Sequence, residues 1–208
     1  MILETIVVGA LAVNCYLVGS EGTKEAVVID PGGEAEKILE ALERKGLTLR
    51  HIILTHAHFD HLGAARALQE RTGADVLLGR RDEMVLKNVD RQAAMFQMPT
   101  VPVPARCGFL DEGNVIEVGD LKLAVIETPG HSPGGISLYM EREGVVFTGD
   151  TLFWGSIGRT DLPGSDHGAI LRSLKEKLGP LPDDTTVYPG HEAETSIGLE
   201  KEQNPFFE

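Results

Sequence analysis

The stretch ILTHAHFDHLG, residues 53–63, carries three histidines and an aspartate in the pattern H-x-H-x-D-H. The apolar residues 52–54 are typical of the end of a buried strand, and Leu62, Ala65 and Leu68 have the spacing of an apolar helix face. The pattern therefore lies in a turn between a strand and a helix, where polar side chains can converge. Its four polar side chains are His56, His58, Asp60 and His61.

The mixture of imidazole and carboxylate in this turn indicates a metal site. Neutral imidazole with carboxylate favours Zn²⁺, Mn²⁺ or iron, whereas Ca²⁺ and Mg²⁺ prefer shells made of oxygen ligands. The alternative is a set of surface or pH-responsive histidines. We favour a metal site because this spacing rarely arises by chance, and the number of polar side chains makes two metals plausible.

Further candidate ligands follow three other β-rich runs. His131 lies in TPGHSPGG, Asp150 in TGDTLF and His191 in YPGHE. A glycine before each residue lets the backbone turn sharply and presents one side chain at the edge of a sheet. His51 and His167 are the remaining histidines, and we expect both to be surface or structural residues.

The order HAHFDH, TPGHSPGG, TGDTLF and PGHE resembles the metallo-β-lactamase superfamily, and its glyoxalase II-like hydrolases in particular. The resemblance extends from about Val27 to the C-terminal TSIGLEKEQNPF. It implies two divalent metal ions per chain, with zinc, iron or manganese as the candidates. It implies that His56, His58 and His131 hold the first metal, that Asp60, His61 and His191 hold the second, and that Asp150 bridges both. Asp60 is also the predicted catalytic residue.

Asp30 ends an early strand in the stretch VVIDPGG. By the same resemblance, it looks like a carboxylate that orients a ligand imidazole through the nitrogen facing away from the metal. The alternative is an Asx turn before Pro31 and Gly32. One role does not exclude the other.

Charge and composition limit the possible partners. The chain has 19 Lys and Arg against 32 Asp and Glu, a net charge of −13, and it has no basic run of the kind that binds nucleic acid. Glu4 stands where a secretory signal would carry positive charge, and the apolar stretches are shorter than a membrane span. Cys15 and Cys107, the latter expected in a loop, do not indicate a disulfide scaffold. We therefore expect a cytoplasmic protein without nucleic-acid or membrane partners, and leave its oligomeric state open.

The patterning predicts one α/β domain over residues 1–208, since no linker divides the chain. Strands are predicted at residues 2–8, 13–19, 25–30, 51–55, 74–79, 115–118, 121–127, 136–140, 145–149 and 185–189, and helices at 34–46, 61–73 and 167–179, the last capped by Asp166. Two β-rich halves that each carry helices predict a four-layer αββα sandwich of two mixed sheets with helices on the outer faces. The resemblance implies the same fold, with the site along one edge.

Residues 80–107 interrupt the rhythm of strands. They are rich in methionine and proline and predict a short helix or two followed by an extended connector. This segment is either an insertion that covers the core or one wall of a substrate pocket.

The ligand set predicts hydrolysis by a metal-bound hydroxide, which needs no side-chain nucleophile. Ser132 and Ser156 are therefore expected to form turns. No dedicated general acid is visible, and a thiolate with a pKa of about 8.5 departs without one, so a small thioester such as an S-acyl glutathione is the expected substrate.

Arg159, in WGSIGRTDLPGSD, takes the place of a basic residue that meets the glutathione moiety in glyoxalase II enzymes. Two departures from that family stand out: the aromatic residue expected near Thr160 and Asp161 is absent, and so is the family's helical C-terminal domain. A different thiol could therefore be the acyl carrier. Alternatively, Arg159 pairs with Asp161 or Asp166 and holds its loop.

Two other functions compete with the hydrolase. Persulfide dioxygenases share the H-x-H-x-D-H pattern and a GRTD stretch, found here at residues 158–161, but use a single iron held by two histidines and an aspartate. Ile157 counts against them, because that family usually has cysteine there. The second alternative is a non-enzymatic module that binds metal or thiols.

Overall fold

The computed structural model describes residues 1–207, so Glu208, the last residue of the predicted domain, lies outside the described residues. The strands of the first half are β1 (Ile2–Val8), β2 (Val13–Gly19), β3 (Glu25–Ile29), β4 (Thr48–Leu54), β5 (Asp75–Gly79) and β6 (Cys107–Leu110). Its helices are α1 (Ala35–Lys45), α2 (Phe59–Leu62), α3 (Ala65–Thr72), α4 (Glu83–Lys87) and α5 (Val89–Met95).

The second half repeats this mixture of strands and helices. Its strands are β7 (Val115–Val118), β8 (Leu121–Glu127), β9 (Ile136–Met140), β10 (Val145–Gly149), β11 (Leu152–Phe153), β12 (Ser156–Ile157), β13 (Thr186–Pro189) and β14 (Thr195–Ser196). Its helices are α6 (His167–Arg172), which continues in π-helical turns over Ser173–Leu178, and α7 (Ile197–Gln203). Across residues 1–207, no helix is long and apolar enough to cross a bilayer.

Within residues 1–207, the strands form two six-stranded sheets and a small hairpin of β11 and β12. The first sheet has the order β1-β2-β3-β4-β5-β6, antiparallel up to β3 and parallel from β3 to β6. Each parallel step needs a crossover, which α1, α3 and the α4–α5 segment supply in turn. The second sheet has the order β14-β13-β10-β9-β8-β7, and only its β10–β13 pair is parallel.

Three hydrophobic cores separate four layers. Strand β2 is buried on both faces because Cys15 and Leu17 pack in the core beneath the first set of helices, whereas Tyr16 packs between the sheets. In β10, Phe147 lies in the core between the sheets and Val146 in the core beneath α6 and α7. The order helices, sheet, sheet, helices confirms the predicted αββα sandwich of two mixed sheets.

The helix predicted over residues 61–73 is wrong in one respect, because the chain breaks between α2 and α3. The backbone N–H of Ala64 donates to the carbonyl of Pro31 at 2.8 Å instead of continuing the helical ladder. A β-carbon at Gly63 would overlap the carbonyl oxygen of Gly32. The turn at Pro31–Gly32 therefore packs against the break, a contact that periodicity does not reveal.

Several short elements were not predicted. Cys107, expected in a loop, begins the edge strand β6, while β11, β12 and β14 have two residues each and carry no periodic signal. Helix α7 is short and largely polar, and its Glu200 accepts hydrogen bonds from Thr195 Oγ1 at 2.6 Å and from the N–H of Gly155 at 2.9 Å. These contacts, rather than local propensity, hold it in place.

Candidate metal centre

The predicted ligands converge at one edge of the two sheets. His56 and His58 lie in the turn after β4, and Asp60 and His61 lie in α2. The others follow strands of the second sheet: His131 after β8, Asp150 after β10 and His191 after β13. The structure thus brings together all seven residues that the sequence singled out.

The first group consists of His56, His58 and His131, whose ring nitrogens lie within 4.8 Å of one another. All three side chains are buried, and His58 Nδ1 lies 2.9 Å from His131 Nε2. Three buried imidazoles pointing at one another suit a shared cation, because each neutral ring offers one lone pair.

The second group consists of Asp60, His61 and His191. Asp60 Oδ2 lies 3.7 Å from His61 Nε2 and 3.5 Å from His191 Nε2. Asp150 touches both groups, since its Oδ1 is 3.4 Å from His61 Nε2 and its Oδ2 is 3.5 Å from His131 Nε2. One carboxylate therefore stands between two ligand sets.

Backbone carbonyls fix the orientation of two imidazoles. His131 Nδ1 lies 2.9 Å from the carbonyl oxygen of Arg159, and His191 Nδ1 lies 3.1 Å from that of Leu11. A carbonyl only accepts hydrogen bonds, so both Nδ1 atoms donate to these carbonyls and both Nε2 atoms are directed into the site.

Asp30 and Thr55 orient one imidazole in each group. Thr55 donates its N–H and its hydroxyl to the carboxylate of Asp30 at 2.7 and 2.6 Å, and its Oγ1 lies 3.0 Å from His56 Nδ1. The same carboxylate lies 3.1 Å from His61 Nδ1. Because the hydroxyl proton is given to Asp30, Thr55 is left to accept from His56. The sequence did not identify Thr55, although its place directly before His56 was a usable signal.

The charges in the two groups differ. Burial lowers the pKa of His56, and burial with the neighbouring His131 lowers the pKa of His58 to about 3, so both imidazoles are neutral. Burial also disfavours the charged form of His61, but Asp150, Asp60 and Asp30 outweigh it and raise its pKa to about 10. The pKa of Asp60 is lowered, since His61 and His191 outweigh the effect of its burial.

The donor set fits two divalent cations. His56 Nε2, His61 Nε2 and Asp150 Oδ1 are buried without a hydrogen-bond partner within residues 1–207, and buried polar atoms left unpaired in this way call for an ion or a water. A β-carbon at Gly190 would overlap Asp150 Oδ1, and one at Gly149, which has φ 51°, would overlap Thr55 Oγ1. Glycine at 190 therefore leaves room for the Asp150 carboxylate in the site, and glycine at 149 leaves room for the Thr55 side chain.

Asp82 ties two ligand loops together and was missed by the sequence analysis. It is fully buried, and its carboxylate accepts hydrogen bonds from the N–H of Ala57 at 2.8 Å and of Gly134 at 2.6 Å. Ala57 lies between His56 and His58, and Gly134 follows the His131 turn. In the charged run RRDE, nothing distinguishes Asp82 from a surface residue.

Asn14 and Tyr16 anchor the loop of His191 to the first sheet. The Asn14 amide donates to the carbonyls of Pro189 at 3.1 Å and Glu192 at 2.8 Å, and the Tyr16 hydroxyl donates to Pro189 at 2.6 Å. These bonds join residues 173 to 178 positions apart in the chain, so no local pattern could reveal them.

The ligands open into a cleft of about 1050 Å³, which Arg159 also lines. Its guanidinium forms two hydrogen bonds with Asp161, at 2.7 and 2.8 Å, and lies 5.7 Å from the ring centre of Phe96. The segment after β5 both covers the core and lines the cleft. Val89 and Ala93 are buried in the core, whereas Met84, Met95 and Phe96 form a wall of the cleft.

The family model of the metallo-beta-lactamase superfamily matches residues 8–191. The chain belongs to this superfamily. It is 38% identical over 209 residues, covering 99% of this chain and 98% of the relative, to hydroxyacylglutathione hydrolase GloC of Haemophilus influenzae. It is also 38% identical to the probable metallo-hydrolase YqgX of Bacillus subtilis, covering 96% of this chain and 94% of that one. The resemblance found in the sequence is confirmed at this level.

Solved structures of the superfamily share the fold over the whole chain. BLEG-1 B3 metallo-beta-lactamase has a TM-score of 0.91 at 39% identity, covering 99% of both chains. TTHA1623 in a di-iron-bound form has a TM-score of 0.89 at 40% identity, covering 98% of this chain and 99% of that one. ETHE1 from Myxococcus xanthus has a TM-score of 0.83 at 33% identity, covering 99% and 84%.

We predict that the purified protein binds about two equivalents of Zn²⁺, iron or Mn²⁺, because two ligand groups share Asp150. His58→Ala should impair the first group and Asp60→Ala the second, each losing about one equivalent. Elemental analysis of the purified variants measures this. His167→Gln, which removes an exposed histidine outside the groups, should keep the wild-type metal content. At most one equivalent in the wild type, and iron only, would contradict a binuclear centre.

Metal uptake should release protons mainly at the second group. Metal-free His61 has a pKa of about 10 and holds a proton at neutral pH, whereas His56 and His58 are already neutral. Because the pKa of His61 is raised, the affinity of the second group for metal should increase with pH into the alkaline range. His56 and His58 are already neutral and should add little pH dependence to metal binding at the first group. Calorimetry in buffers of different ionisation enthalpy measures the protons released. Equal release for both equivalents would contradict this asymmetry.

Proposed function

We propose that the protein is a binuclear metal-dependent hydrolase that cleaves S-acyl glutathione or a similar small thioester. The position of Asp150 between two imidazole groups carries the proposal, because a carboxylate there can hold two cations at once. The similarity to hydroxyacylglutathione hydrolase GloC supports the thioester substrate.

The protein's own residues would hold and orient the reactants. Bound cations would lower the pKa of a water to about 7 and polarise the acyl carbonyl. Asp60 lines the cleft with a lowered pKa, so its carboxylate stays ionised and would accept a hydrogen bond that orients the attacking water. Asp30, through His61 and through Thr55 to His56, keeps the ligand rings from rotating.

The composition of the cleft favours a thioester over an amide. Among the described residues that line the cleft, the acidic ones are the predicted ligands Asp60 and Asp150 and one other residue, Glu192. An amide nitrogen needs a proton as it departs, whereas a thiolate with a pKa of about 8.5 leaves almost unaided. Thioester hydrolysis therefore needs no acid beyond the groups present.

Persulfide oxidation is the second candidate. The similarity to ETHE1 from Myxococcus xanthus and the shared GRTD stretch at residues 158–161 favour it. A single iron held by two histidines and an aspartate would use only part of the ligand set described above. The hydrolase uses all seven residues, which is why we place it first.

A paired assay should separate the two functions. We expect release of free thiol from S-lactoylglutathione without oxygen consumption, and no oxygen uptake with glutathione persulfide. An Asp60→Asn variant should lower turnover by orders of magnitude, because the amide cannot replace an ionised ligand. Thiol release by Ellman's reagent and oxygen uptake by electrode measure the two reactions. Oxygen uptake without thioester hydrolysis would establish the dioxygenase instead.

Arg159 is proposed to bind a carboxylate of the thiol carrier. Such a contact is similar in ground and transition states, so Arg159→Ala should raise KM about tenfold with kcat little changed. Asp161→Asn provides the matched control, since it removes the partner that now occupies the guanidinium. It should leave KM unchanged or lower it. If both variants lose activity and melting temperature together, the pair holds the loop and does not bind substrate.

A further inference from the structure

Arg91 is an exposed cation in the wall of the cleft. Of the residues 1–207 that line the cleft, only Arg91 and Arg159 carry a lysine or arginine side chain. Arg159 is engaged by Asp161, whereas no ion pair or hydrogen bond of the Arg91 guanidinium occurs within the described residues. In a chain with 32 acidic residues, an arginine left free beside the site is available for a ligand.

Helix α5 presents Arg91 on a fixed support. Its Val89 and Ala93 are buried in the core beneath the first set of helices, which fixes the rotation of the helix. Phe96, just after the helix, packs on Phe59 at 5.5 Å between ring centres. The face of α5 that carries Arg91 and Met95 is thereby directed into the cleft.

Gln92, beside Arg91, offers an acceptor. Its Nε2 donates to the carbonyl of Val85 at 3.0 Å, which settles the orientation of the amide, and its Oε1 is buried without a partner within residues 1–207. A buried acceptor left unpaired in a cleft wall is costly unless a ligand or water donates to it. The Arg91 guanidinium can donate two hydrogen bonds to a carboxylate, and Gln92 Oε1 can accept one from an N–H.

The spacing suits a small peptide. Arg91 and Phe96 are five residues apart, which along a helix is a rise of roughly 7.5 Å, and the Arg159 guanidinium lies over the ring of Phe96, 5.7 Å from its centre. A chain of three residues spans roughly 10 Å. Both arginines line the same cleft as Phe96, so one tripeptide-sized molecule bound there could contact both.

We propose that Arg91 and Gln92 form a second anchoring subsite, which binds a terminal carboxylate and an adjacent N–H of a peptide-like thiol carrier. The carrier lies across Phe96 with one anionic end on Arg91 and the other on Arg159. This inference rests on the proposed hydrolysis of thioesters and names the part of the chain that selects the leaving thiol.

Binding of S-methylglutathione, a thioether that cannot be hydrolysed, tests the subsite without turnover. Calorimetry on the metal-loaded protein should show that Arg91→Gln weakens binding about tenfold and that Arg91→Lys, which keeps the charge but not the two-pronged geometry, has a smaller effect. Arg106→Gln is the matched control, because Arg106 is also exposed, its guanidinium has no ion pair or hydrogen bond within residues 1–207, and it lies outside the cleft. Its affinity should equal that of the wild type.

Kinetics provide the second measurement. Arg91→Gln should raise KM for S-lactoylglutathione about tenfold with kcat little changed, and should not affect S-lactoyl-N-acetylcysteamine, which has no carboxylate. Equal affinity of Arg91→Gln and wild type for S-methylglutathione would overturn the subsite, as would a wild type that does not bind it. Binding that depends on Arg91 without hydrolysis of any thioester would retain the subsite and reject the proposed hydrolase.

Discussion

Both ligand groups are arranged around the hydrogen bonds and the ion pair of the buried Asp30 carboxylate. A buried charge costs several kcal/mol unless its oxygens are paired, and here two donors of Thr55 and the ring of His61 surround it. Asp30 has φ 51°, a left-handed conformation that aspartate tolerates better than most residues. That turn at the end of β3 brings the carboxylate beneath the end of β4, from which His56 and His58 extend.

Bound cations would neutralise the negative charge that several carboxylates place around His61. Three carboxylates, Asp30, Asp60 and Asp150, lie close enough to His61 to raise its pKa to about 10 despite its burial. A proton on His61 is thus the metal-free substitute for a cation, and it occupies a nitrogen that a metal needs. Binding and protonation compete for the same lone pair, so affinity at this group is coupled to pH through the surrounding charges.

Residue type and spacing were sufficient to predict the layers of the fold and the residues that meet at its edge. The strand ends could be located because each candidate ligand follows an apolar run and a glycine, as Gly149 and Asp150 illustrate. The supports of the site could not be predicted. Asp82 and Asn14 act on backbone groups far away in the chain, and their own neighbourhoods contain no periodic signal. The break at Gly63 has the same origin, since a distant turn packs against it.

In the loop at residues 158–161, the structural contacts are made by the backbone and not by the side chain of Arg159. Its carbonyl at Arg159 orients His131, a contact that any residue at this position would make. The close approach of the loop depends on Gly158, because a β-carbon there would overlap the carbonyl oxygen of Asp150. The pair of Arg159 with Asp161 is exposed, and an exposed ion pair contributes little to stability because solvent screens it. Neither the carbonyl nor the close approach of the loop therefore explains why the residue is arginine. What the side chain adds is a positive charge in the wall of the cleft, held there by an exposed pair with Asp161.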